Sequence, residues 1–289
     1  MDPLIIIATM FVLAWGAIWG SFLNVVIWRV PAGMSVVSPP SHCPKCGHGL
    51  AWWQNVPVLG WAWLGGRCYY CKVAISARYP AVEAVTAALA LAVSMPWLQG
   101  WASGDLEPWR AALGMGAEHV FLFTCISIAL IDADTFIIPD VMSLPLPLLG
   151  IAVAVVLGEE RGVQWQDAAA AAFVAGGGLL AVQWGYAAIT GREGLGTGDI
   201  KLLAGLGAWL GLRSLPAVLL AASLQGLLFA AGAALLTPKA ADGLAARRGL
   251  ASMRHVALPF GPFLVLGGLE YLLLHRQLAP VLAPYFGGY

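Results

Sequence analysis

A carboxylate beside several glycines stands at the mouth of a long apolar run, in Gly194-Leu195-Gly196-Thr197-Gly198-Asp199-Ile200-Lys201. An ionisable side chain at a membrane boundary is costly and marks a functional site by default. Glycine lets backbone approach a ligand closely, so Asp199 reads as presented on backbone that a substrate strand can lie against. An ordinary helix N-terminus, with Asp199 as its cap, accounts for the same residues. A second acidic stretch, Ile131-Asp132-Ala133-Asp134-Thr135-Phe136-Ile137-Ile138-Pro139-Asp140, separates two apolar runs. Pro139 disfavours helix at Ile138 and restarts it afterwards, so Asp140 belongs to the first turn of the next helix. Asp134 reads as a turn or solvent residue. Asp132 abuts the end of the preceding apolar run and is the candidate partner of Asp199. Two carboxyls in a partly dry site cannot both ionise cheaply, and they share a proton. Such a pair suits peptide hydrolysis. The ionised partner draws a proton from water, and the protonated one polarises the carbonyl and supplies the leaving amine. The sequence has no GxSxG and no HExxH, so serine and metalloprotease chemistries have no support from these motifs.

A second constellation is Cys43-Pro44-Lys45-Cys46 with Cys68-Tyr69-Tyr70-Cys71. Two CxxC knuckles supply four thiolates at tetrahedral reach, the usual structural zinc arrangement. The gap between them is slightly longer than the common template. Two disulfides are the competing reading. The flanking Arg29, Lys45, Arg67, Lys72 and Arg78 favour the cytoplasmic side, where thiols stay reduced. Four thiolates leave no open position for substrate, so the Zn2+ is structural. His42 and His48 flank the first knuckle in surface or supporting roles. Trp52, Trp53, Trp61 and Trp63 read as seating this segment on the membrane interface. The fifth cysteine, Cys125, lies in an apolar segment and reads as a small buried hydrophobe.

The elements around these residues are apolar. Of 289 residues 60% are hydrophobic and 10% charged, and the mean hydropathy is +0.80. That is an all-α polytopic membrane protein in a lipid bilayer. The formal net charge of +0 argues against a nucleic-acid partner. The apolar runs predict about eight transmembrane helices: Leu4 to Val26, Ala81 to Trp97, Ala111 to Ile131, Val141 to Leu157, Ala168 to Ile189, Lys201 to Leu212, Pro216 to Leu236, and Pro259 to His275. The expected organisation is a first helix over 1–28, a cytoplasmic four-cysteine zinc domain over 29–80, and a transmembrane catalytic domain over 81–289. With 29–80 in the cytoplasm, only Arg110, Arg161, Arg213 and Arg276 of the 15 basic residues fall on the far side. Both termini then lie outside the cytoplasm, and Asp132 and Asp199 share the cytoplasmic face.

Taken together the chain resembles the bacterial prepilin peptidases, membrane aspartic enzymes of type IV pilus and type II secretion systems. The resemblance is carried by Gly20-Ser21-Phe22-Leu23-Asn24-Val25-Val26 with Arg29 and Pro31, both knuckles, and Arg78-Tyr79-Pro80-Ala81-Val82-Glu83. It continues through IDAD with Pro139-Asp140, GTGDIKLLAGLGAW and PFGPFL. It implies that Asp132 and Asp199 are the catalytic aspartates and that the substrates are prepilins and pseudopilins. These would be cut at the cytoplasmic face of the inner membrane. It further implies N-methylation of the new terminus with S-adenosylmethionine. No residue is assigned to that methyl donor, and the oligomeric state is not read from the sequence. Two other readings compete. Intramembrane proteases of the presenilin kind pair a GxGD aspartate with a Tyr-Asp motif, but here Ile131 precedes Asp132. A non-enzymatic proton-coupled transporter would place its carboxylates near mid-bilayer rather than at helix ends.

Overall fold

A computed structural model describes residues 3–191, 196–236 and 258–286. Gly194, Leu195, Arg192, and Lys239, Arg247, Arg248 and Arg254 of the basic connection lie outside the described residues. Among the described residues the fold is helical: α1 (Pro3–Arg29), α2 (Leu59–Trp63), α3 (Arg78–Ser103), α4 (Pro108–Thr135), α5 (Asp140–Ser143), α6 (Pro145–Arg161), α7 (Trp165–Phe173), α8 (Leu179–Thr190), α9 (Thr197–Leu210), α10 (Ser214–Leu236) and α11 (Gly261–Phe286). Each of the eight expected apolar segments is helical over most of its length. Six helical stretches are long and apolar enough to cross a membrane, namely α1, α3, α4, α5–α6, α7–α8 and α10. This makes the chain an integral membrane protein. The other two apolar segments are α9, with 14 residues, and Gly261–Leu274 of α11. At 1.5 Å per residue α9 is about 21 Å long, short of the roughly 30 Å hydrocarbon core.

The chain divides into two compact units, residues 1–131 and 132–289. In the first, α1 packs on α3 through glycines one helical turn apart. A Cβ on Gly16 would lie 2.8 Å from the Ala87 Cα, and one on Gly20 would lie 2.7 Å from the Glu83 Cα. Apolar side chains gain little by associating in lipid, so close backbone approach through small residues drives such contacts. Asn24 pins the crossing by donating to the Tyr79 carbonyl at 3.3 Å. Glu83, buried in α3, accepts the Val58 amide at 2.6 Å. Val58 holds a φ of 61°, a costly conformation for a β-branched residue, and that bond secures it. The buried His119 meets Ser94 Oγ at 2.9 Å and stacks on Phe123.

In the second unit α9 is the central element. Every residue from Leu202 to Leu210 is buried, as expected of a helix that is apolar all round. Neighbouring helices come close where glycine replaces a side chain. Gly150 of α6 lies against Trp209, and Gly205 of α9 lies against Leu146. Trp209 Nε1 donates to the Leu146 carbonyl at 2.8 Å. At the far end of α9 the Trp209 carbonyl accepts from Arg161 at 2.8 Å, and the guanidinium lies over the Trp209 ring. A helix C-terminus leaves carbonyls without partners, and a cation there satisfies one. Gly176-Gly177-Gly178 falls in a π-helical turn, Val174–Gly178, between α7 and α8. Two prolines separate α5 from α6 at Leu144, since Pro145 and Pro147 cannot donate to the preceding turn.

Candidate functional site

The ends of three helices build the acidic site. Asp132 lies in the last turn of α4 and is buried. The Phe136 amide closes that turn on the Asp132 carbonyl at 2.8 Å, with Phe136 at a φ of 58°. A left-handed residue after the last turn is a common helix stop, but it is strained for a side chain of this size. The chain then runs to Pro139, which caps α5 with extended backbone. Asp140 opens α5, as its position after proline predicts.

Asp199 is the third residue of α9 rather than its cap, because Gly196 occupies the cap position. Each glycine here clears space for a specific group. A Cβ on Gly196 would lie 2.9 Å from Asp199 Oδ2, and one on Gly198 would lie 3.0 Å from the Ile138 Cβ. The third helix end is the start of α11. The Gly261 amide donates to Asp132 Oδ2 at 2.9 Å, and a Cβ there would stand 2.7 Å from the same oxygen. That bond fixes Oδ2 as an acceptor, so a proton held by this pair sits on Asp132 Oδ1 or on Asp199. The Asp132 charge acts electrostatically on Asp199. At the rim, Lys201 and Asp140 form an ion pair at 2.7 Å. Asp134 is exposed.

The sequence singled out Asp132 and Asp199 but gave no role to Gly261, Ile138 or the Lys201–Asp140 pair. Gly261 stands within the Pro-Phe-Gly-Pro run, which helped carry the family resemblance but did not point to Asp132.

The four cysteines converge within the first unit. Their Sγ atoms all lie within 4.8 Å of one another. Cys43 and Cys71 Sγ are 3.8 Å apart, far beyond the roughly 2.05 Å of a disulfide. A tetrahedral metal with 2.3 Å metal–sulfur bonds sets its sulfurs about 3.8 Å apart, so the cluster fits Zn2+. Each knuckle is a small turn with the same backbone bonds. Cys43 N–H donates to the His48 carbonyl and Cys68 N–H to the Val73 carbonyl, both at 2.9 Å. The residue after each second cysteine, Gly47 or Lys72, is left-handed. Hydrogen bonds from the Cys46 and Lys45 amides bring the Cys43 thiol down to about 7. The Cys71 and Tyr70 amides likewise lower Cys68. Both effects favour the thiolate that a metal binds. His42 bonds the Pro40 carbonyl and His48 stacks on Tyr70. The tryptophans divide. Trp53 packs on Tyr69 and Trp61 donates to the Ile75 carbonyl, whereas Trp52 and Trp63 are exposed.

Residues 14–97 match the bacterial peptidase A24 N-terminal domain, and residues 119–231 match the type IV leader peptidase family. The prepilin leader peptidase/N-methyltransferase of Aeromonas salmonicida is 35% identical, covering 88% of this chain and 86% of its own length. The protein of that name from Pseudomonas aeruginosa is 34% identical, over 94% and 92% respectively. The one from Myxococcus xanthus is 42% identical over 75% of this chain and 60% of its own. No solved structure matches.

Proposed function

The chain belongs to the type IV leader peptidase family, and on that premise we propose that it removes the leader from type IV prepilins and type II secretion pseudopilins, then N-methylates the new terminus. Asp132 and Asp199 are the catalytic pair. The observation that carries this is the seating of two acids against glycine, with one oxygen of Asp132 held by the Gly261 amide.

A water between the carboxyls gives a proton to the ionised one and attacks the scissile carbonyl carbon. The protonated carboxyl hydrogen-bonds the carbonyl oxygen. As the carbon–nitrogen bond breaks, a carboxyl proton passes to the leaving amine. Gly261 prevents Asp132 from turning away during these transfers. The scissile segment must be extended, because a helical peptide bond keeps its carbonyl in the helix ladder. Backbone around Gly196 and Gly198 offers an edge for it.

Cys43, Cys46, Cys68 and Cys71 hold a structural Zn2+ that knits the 29–80 domain, and residues 81–289 form the peptidase domain. The protein sits in the bacterial inner membrane, with the zinc domain and catalytic face cytoplasmic and both termini periplasmic. S-adenosylmethionine supplies the methyl group, and no residue of this chain is assigned to hold it.

Purified enzyme incubated with a prepilin, with and without S-adenosylmethionine, tests the reading by intact mass. Leader loss is expected in both reactions and the mass of one methyl group only with the donor. A folded enzyme that leaves the prepilin intact overturns the assignment.

A further inference from the structure

An ion pair at the rim joins the segments that carry the two carboxyls. Lys201 stands two residues beyond Asp199 on the first turns of α9, and Asp140 opens α5 a short segment beyond Asp132. Their charges meet at 2.7 Å. Beside them Ile138 fits into the space left by Gly198. The segment that follows Asp132 is therefore attached to the helix of Asp199 at two adjacent points, one apolar and one ionic.

Lys201 is not itself a partner of Asp199. Residues two apart on a helix do not face each other, and the ammonium is directed to Asp140. Nor does the pair hold the fold together. Its side chains are 32% and 60% exposed, and an exposed pair contributes only about 0.2–1 kcal/mol. The buried residues from Leu202 to Leu210 keep α9 in place. What the pair can do is set the approach of α9's first turn to the Asp132 segment. That approach is where small errors matter, since a misplacement of about 1 Å costs on the order of 100-fold in rate.

We propose that the Lys201–Asp140 ion pair is a positioning clamp that fixes the register of Asp199 against Asp132. It rests on the reading of those aspartates as the catalytic pair.

The test compares Lys201→Met, Asp140→Asn, the double variant and Lys201→Arg in prepilin cleavage, with melting followed by circular dichroism. Each single loss of charge is expected to lower kcat about tenfold with KM nearly unchanged, a fraction of the misplacement effect. The double variant should be no slower than the slower single one, because both break the same contact. Lys201→Arg, which keeps the pair, should restore most of kcat. Melting should move little in any of them. Wild-type kcat in the single variants, a loss confined to KM, additive losses, or losses that track melting each overturn the clamp. Should Lys201→Met not fold, Asp140→Asn against Lys201→Arg makes the same comparison. Asp199→Asn is assayed alongside. If it cleaves normally, the catalytic reading fails. If it is inactive while the clamp variants are normal, only the clamp fails.

Discussion

The cysteine cluster and the acidic pair are opposite uses of charge. In the knuckles each pair of ligands lies three residues apart, and amides of the same turn already favour two of the thiolates. A dication would cancel charge that the fold has gathered, so binding and folding pull together. Asp132 and Asp199 come from distant stretches and carry like charge. The nearby Lys201 is paired with Asp140 instead. Their arrangement works against stability and is held by glycine gaps and one amide. The lesson is that damage to the first site should register in stability, and damage to the second in rate.

The largest effect should come from Asp132→Asn or Asp199→Asn. Either removes a proton carrier and should cut the initial rate of leader cleavage by about three orders of magnitude, within the range for general acid–base groups. The melting temperature should hold or rise, because each change removes a like-charge, poorly solvated acid. Initial rates and thermal melts on the same preparations decide this. A variant that cleaves normally removes the catalytic assignment. One that is inactive because it melts much earlier removes the contrast between the sites.

Next in size is the loss of one thiolate. Cys43→Ser should lower bound zinc from about one per chain to well below half, since a closed structural site needs all four ligands. It should also lower the melting temperature. Elemental analysis and thermal melting measure the two together. Chelator on the unaltered protein should reproduce the drop in melting, whereas a reductant should leave it unchanged. The reverse pattern would mean disulfides.

The same contrast explains what the sequence made legible. The knuckles are local, so residue type and spacing carry nearly all of their geometry. The two aspartates were legible as acids at the ends of apolar runs, and proline at 139 placed Asp140 correctly in α5. Their supports were not. A hydrogen bond from the Gly261 backbone to Asp132 leaves no side-chain signature, and the partner lies far along the chain. The glycines near Asp199 could be read as permissive, but not that Gly196 makes room for the carboxyl and Gly198 for Ile138. The tryptophans show the limit from the other side. Composition suggested one role for all four, while Trp53 packs on Tyr69 and Trp61 donates to the Ile75 carbonyl.

The smallest and most selective change is Gly196→Ala. Gly196 has φ −68° and ψ 134°, which alanine adopts without strain. Losing a glycine reduces the freedom of the unfolded chain, a gain of about 0.4–1 kcal/mol. Alanine is a poorer helix cap than glycine, which offsets part of that gain. The added Cβ would stand 2.9 Å from Asp199 Oδ2, and the carboxyl can yield by turning about its own bonds. Folding should therefore change by less than about 1 kcal/mol, while cleavage slows by roughly tenfold as the carboxyl leaves its alignment. Denaturant unfolding and initial rates read the two quantities separately. A slower enzyme of unchanged stability is what glycine at 196 serves. Unchanged cleavage would mean that the orientation of Asp199 is set from elsewhere, leaving the Lys201–Asp140 pair and the Ile138 contact as its remaining supports.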